Sequence, residues 1–229
     1  MPKGWTGSCS SPWEGPTRRS SSGSLRGASG SWSPTAAWRA SPRWRQTTAG
    51  GSAALAEHLI SLGYRRLAYI AGPKGVSTAE DRLAGFARAL EAHGLTPVTV
   101  RRGDFTLRSG YALAREVLSQ HREVDAIVAG NDLMAIGVLR AAEDMGVEIP
   151  ETLGVAGFDH VLPADLVRPR LTTVAVPAYE MGREAMRRLL EGSDEGKVLP
   201  VKLIAGDSTP KRGGDGPGKE PKAVKSQGR

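Results

Sequence analysis

The stretch Leu67-Ala68-Tyr69-Ile70-Ala71-Gly72-Pro73 decides the fold. Five apolar residues in a row, closed by glycine and proline, read as a short strand buried on both faces that stops at a turn. Just before it, Ala54, Leu55, His58, Leu59 and Leu62 fall at helical spacing, and Gly63 supplies the stop. Just after it, residues 79–93 put Leu83, Phe86, Ala87 and Leu90 on one helical face and end at Gly94. The pattern repeats downstream. Strands are expected at 98–101, 126–129 and 153–156, and helices at 108–120 and 133–145, the latter stopped by Gly146. A segment holding Pro163 and Pro169 leads to a short strand at 171–175, a helix at 178–190 and a last strand at 200–205. Apolar strands alternating with helices of 10–15 residues predict an α/β fold, a parallel sheet covered on both faces.

The two ends of the chain read differently. The 229 residues carry a net charge of +7. Residues 1–50 hold seven basic residues and one acidic, residues 210–229 hold six and two, and residues 51–209 are left at −3. A basic chain ordinarily points to nucleic acid, but here the basicity lies outside the α/β region. All five Trp and the lone Cys9 also fall in the first 50 residues, where Met1 and Leu25 are the only members of the Val/Ile/Leu/Met/Phe set. So little apolar surface predicts a non-globular segment over 1–47, and the Gly/Pro/Lys-rich residues 211–229 predict a disordered tail. One cysteine excludes a disulfide framework and a cysteine-based zinc site. No apolar run is long enough to span a membrane, and no secretory signal is evident, so a cytoplasmic protein is expected.

In open parallel sheets ligands bind beyond the carboxyl ends of the strands. That rule selects Gly72-Pro73-Lys74-Gly75 with the helix entry bearing Thr78 and Arg82, then Asp104 and Phe105, then Asn131 and Asp132, and finally Gly157-Phe158-Asp159. A guanidinium, an amide, carboxylates and a ring meeting on one edge suit a small polyhydroxylated or heterocyclic ligand. Each residue also has a structural reading. Asn131 or Asp132 can cap the next helix. Arg82 opposes the dipole of its helix and can be neutralised by Glu80 or Asp81, Phe105 can be core, and Asp159 can be a turn residue. Enzyme signatures are missing: there is no phosphate loop or G-x-G-x-x-G, no nucleophile elbow, and the four His lack metal-ligand spacing. A binding module is expected, without metal or cofactor.

The ordered motifs resemble the sensor domain of LacI/GalR-type bacterial transcriptional regulators. They run from residues 58–70 with Gly72-Pro73, through Arg82-Leu83-Ala84-Gly85-Phe86 and residues 129–138, to Ile149-Pro150-Glu151 and Val155-Ala156-Gly157-Phe158-Asp159. They continue with residues 169–174, Met181-Gly182 and Asp207-Ser208-Thr209, so the likeness spans about residues 48–210. The resemblance implies a periplasmic-binding-protein-like domain, represented mostly by its C-terminal subdomain. It further implies a sugar or purine-like effector, a homodimer, and operator DNA bound through a separate helix-turn-helix head. On that basis Thr78, Arg82, Phe105, Asn131 and Asp159 are expected at the effector, and Ile136 and Val167 at the dimer interface.

Residues 1–47 resemble neither the head nor the first strands of the family, which implies a truncated or frame-shifted member. The apolar face of the 178–190 helix (Met181, Ala185, Met186, Leu189) should then lack its usual cover. The alternative reading is a solute-binding protein that delivers a sugar to a transporter.

Overall fold

The computed structural model describes residues 42–192 and 198–212. In chain order the elements are α1 (Pro42–Ser61), β1 (Leu67–Ala71), α2 (Ser77–Ala92), β2 (Thr99–Arg102), α3 (Leu107–Gln120), β3 (Ala126–Ala129), α4 (Asp132–Asp144) and β4 (Gly154–Ala156). They are followed by α5 (Leu162–Leu166), β5 (Thr173–Ala175), α6 (Ala178–Glu191) and β6 (Lys202–Ile204). Strands β1 to β4 form one parallel sheet in the order β2-β1-β3-β4. Ala68 stands opposite both Thr99 and Ile127, and Ala126 opposite Gly154.

The two-residue alternation along each strand builds two cores. Tyr69, Ala71 and Val128 face α1 and α2, where they meet Leu55, Leu59, Phe86 and Leu90. Ala68, Ile70, Ile127 and Val155 face α3 and α4, where they meet Ala114, Val117, Met134 and Val138. Each large side chain buried this way contributes about 1.5–3 kcal/mol, whereas an exposed ion pair such as Arg140–Glu143 contributes about 0–1 kcal/mol. The two apolar layers therefore hold the fold. On the outer layer the helices touch backbone to backbone: a Cβ on Gly137 of α4 would stand 2.2 Å from the Leu107 carbonyl oxygen at the start of α3.

The amino ends of the strands are closed by buried Asp125, whose two carboxylate oxygens accept from the amides of Arg65 and Arg66, both at 3.0 Å. The free side of β4 is closed from later in the chain. Ser208 accepts from the Val155 amide through its carbonyl (3.0 Å), and its hydroxyl donates to the Val155 carbonyl (2.6 Å) while accepting from the Thr172 amide (2.9 Å).

Several boundaries differ from the spacing. Helix α1 reaches back to Pro42, into the segment expected to be non-globular, because the apolar period that betrays a helix begins only near Ala54. Helix α5 arises inside the proline-containing segment; its five residues are too few to show a period. The last strands are not part of the parallel sheet: β5 and β6 pair antiparallel with each other, Val174 opposite Leu203. Of the expected disordered tail, Arg212 is anchored. Its amide donates to the Leu62 carbonyl at 2.8 Å, and its guanidinium lies 4.8 Å from the Tyr64 ring centre. Residues 1–41 and 213–229, which carry the rest of the expectations for the two ends, lie outside the described residues. Helix α6 buries none of its residues, and Met186 and Leu189 are largely exposed.

Candidate functional site

The parallel sheet brings the loops after β1, β2, β3 and β4 to one edge, and their side chains interlock there. Arg82, one turn into α2, is its centre. Its Nη1 donates to the Gly130 carbonyl at 2.5 Å, its Nη2 to Asp159 Oδ1 at 2.6 Å, and its Cζ lies over the Phe158 ring, 3.9 Å from the ring centre. One guanidinium thus ties α2 to the loops after β3 and β4. The arginine is buried, while a third of the Asp159 side chain remains exposed. Burial pushes the Asp159 carboxyl above its usual range, and the charge and hydrogen bond of Arg82 pull it back. Arg82 Nε is buried without a partner among the described residues.

Glu80, one of the two neutralisers expected from the sequence, acts elsewhere. Glu80 pairs with Arg102, through contacts of 2.8 and 2.9 Å, and accepts from the Gly75 amide. Arg82 is compensated from across the site, by a residue 77 positions away.

Asn131 and Asp132 both lie at the start of α4, and the structure divides the alternatives between them. Asn131 is the cap: its Oδ1 accepts from the Met134 amide at 3.0 Å, and its Nδ2 donates to the Phe105 carbonyl at 3.0 Å, joining the β2 and β3 loops. Asp132 is the first helical residue and fully buried. Its Oδ2 accepts from the Val161 amide at 2.9 Å and its Oδ1 from the Thr173 hydroxyl at 2.6 Å. Burial pushes its carboxyl up to about 6.

Phe105 is half-buried at φ 68, and its ring lies directly on Gly72, where any Cβ would stand 2.1 Å from it. Asp104 caps the turn that follows, accepting from the amide and hydroxyl of Thr106; hydrogen bonding from the Ser109 hydroxyl first, and from Thr106 next, holds its carboxyl down to about 2. Thr78 is exposed in the first turn of α2. Arg82, Asp159, Asn131 and the Phe105 backbone are therefore linked through Gly130 and the turn after β4, with Thr78 outside that bonded set. Sequence reasoning attached no role to Phe158, the platform for Arg82, or to Thr173. The first reads as core, and the second lies 41 residues from the carboxylate it meets.

The dimer candidates fall together on another face. Ile136 and Val167 line a groove of about 430 Å³ with Leu139, Val147, Ile149 and Pro169, rimmed by Arg140, Glu143 and Arg168.

An α/β sheet whose strand-end loops bring a guanidinium, a carboxylate, an amide and two aromatic rings together holds these groups at the edge where open parallel sheets bind ligands. Residues 56–209 match the family model described as a periplasmic binding protein-like domain, and the chain belongs to that family, in its LacI-type effector-binding form. The ribose operon repressor of Halalkalibacterium halodurans is 34% identical over 171 residues, 72% of this chain and 51% of that protein. The dimeric Lac repressor with an 11-residue C-terminal deletion superposes with a TM-score of 0.70 at 28% identity, covering 73% of this chain and 63% of that one. The transcriptional regulator CelR in complex with cellobiose gives a TM-score of 0.67 at 36% identity, over 71% of this chain and 52% of that one. The chain spans about half the length of the curated relative. Among the described residues no helix is long and apolar enough to cross a membrane.

Proposed function

We propose that this chain is the effector-sensing part of a cytoplasmic LacI-type transcriptional regulator, and that its cleft edge takes a neutral, hydroxyl-rich ligand of the sugar class. The observation that carries this reading is the Arg82–Asp159 pair. The two groups already neutralise each other at 2.6 Å, so the pair leaves no spare charge of its own to draw an anion. It offers instead a fixed donor beside a fixed, partly exposed acceptor, which vicinal hydroxyls of a sugar satisfy together. The regulator-cellobiose complex among its structural relatives supports the same class. A purine-like ligand is the second reading, favoured by the half-buried Phe105 ring as a surface for stacking.

The effector is coupled to DNA through the assembly. Ile136 and Val167 lie at the interface of a homodimer, consistent with the dimeric Lac repressor, and operator DNA is read by a helix-turn-helix head distinct from residues 48–210. The relatives being regulators favours this role over delivery of a sugar to a transporter. A thermal-shift panel of ribose, cellobiose, adenosine and hypoxanthine tests the ligand class. A sugar should raise the melting temperature with increasing concentration. Stabilisation by the purines alone would move the assignment to the second reading, and stabilisation by none of the four would remove the sugar assignment.

A further inference from the structure

The turn after β4 that carries Asp159 is held in an uncommon backbone. Asp159 has φ 106 and His160 φ 57, two consecutive residues with side chains at positive φ. Such a conformation persists only where the surroundings fix it. One residue brackets the turn from both ends: the Asp132 amide donates to the Phe158 carbonyl at 2.8 Å, and Asp132 Oδ2 accepts from the Val161 amide at 2.9 Å. Its other oxygen is tied to Thr173 of β5, and the next residue of that strand, Val174, accepts from the Asp159 amide at 2.9 Å. The fit leaves no slack, because a Cβ on Gly157 would stand 2.3 Å from Asp132 Oδ1.

We propose that Asp132 is the positioning residue of this site: its buried carboxylate clamps the 158–161 turn so that Asp159 meets Arg82. The functional consequence rests on the effector reading above; the clamp itself does not. An asparagine can keep both bonds, accepting from the Val161 amide and donating to the Thr173 hydroxyl, because that hydroxyl can rotate to accept. Alanine can keep neither.

The titration of Asp159 reads the clamp without any ligand. Besides Arg82, the charged or titratable groups around it are Asp132 itself and His160, which pairs with Asp165 at 3.2 Å. Arg82 lowers the Asp159 midpoint and a neighbouring negative charge raises it. Loss of the Asp132 charge alone therefore moves the midpoint down, whereas loss of positioning against Arg82, with the burial of Asp159 retained as in Arg82→Gln, moves it up. The experiment follows the side-chain carboxyl carbon of Asp159 by NMR in the full chain, across pH, with Arg82→Gln as the reference for complete loss of the pair. Asp132→Ala should shift the midpoint upward, towards the Arg82→Gln value, and Asp132→Asn should leave it at or below the parent value. Thr173→Val, which removes one anchor and keeps the shape of the side chain, should shift it part of the way and decides the matter where the alanine variant does not fold. A midpoint in Asp132→Ala, or in Thr173→Val when that variant stands alone, that stays at or falls below the parent value overturns the clamp. Upward shifts combined with no sugar binding would keep the clamp and remove the effector reading instead.

Discussion

Arg82 and Asp132 each hold a partner far along the chain, Asp159 at 77 positions and Thr173 at 41, so both join elements that the chain order keeps apart. Helical position alone gave Arg82 two acidic neighbours, yet Glu80 turns to Arg102 and the guanidinium reaches Asp159 across the sheet edge. Asn131 and Asp132 were interchangeable as caps until the backbone separated them: Asn131 sits in extended geometry at φ −153, and Asp132 has already entered the helix and turned inward. That burial has a consequence for stability. Burial pushes the Asp132 carboxyl up to about 6 in the folded chain, from the usual value of about 4 for an aspartate in water, so the folded state holds the proton more tightly between those values. The stabilisation is fully present below about pH 4 and is lost as the pH rises through about 6, a cost of about 3 kcal/mol at neutral pH by the usual conversion. Urea unfolding of the parent and Asp132→Asn should therefore show the variant gaining on the parent by about that amount from pH 4 to pH 7. A difference that does not change with pH would mean that Asp132 does not titrate in this range.

At the scale of elements, helices and strands with a full apolar period were legible, and short or aperiodic ones were not. Helix α5 is five residues long with Pro163 near its start, and the first turns of α1 precede the residues at helical spacing. Pairing was also hidden: β5 and β6 are three residues each, like β4 of the parallel sheet, and nothing in their own sequence says that they run antiparallel to each other. Two glycine substitutions check the helix packing. Gly137→Ala places a methyl 2.2 Å from the Leu107 carbonyl, and backbone cannot yield as a flexible side chain can, so the variant should lose about 1–3 kcal/mol in urea unfolding. Gly182→Ala meets nothing within 4 Å in the middle of α6 and should be neutral or gain up to about 1 kcal/mol from helix propensity. Equal effects at the two positions would contradict the close contact of α3 and α4.

For the whole molecule, the charge of the chain was the feature most open to misreading. The net +7 belongs to the two ends, and the α/β region between them is slightly acidic, which suits a small-molecule sensor better than a DNA-binding surface. The proposed homodimer through the groove of Ile136 and Val167 has its own check: the parent should be a dimer by light scattering after size exclusion, and Ile136→Arg, which puts a charge into the apolar floor, a monomer. An unchanged dimer would place the interface elsewhere. The central claim, that the strand-end loops form an effector site around Arg82 and Asp159, is tested most directly by calorimetric titration of the stabilising sugar into the parent, Arg82→Ala and Asp159→Ala. Loss of a charged hydrogen bond should weaken binding by about 1–3 kcal/mol in each variant. Equal affinity in all three proteins would contradict the account.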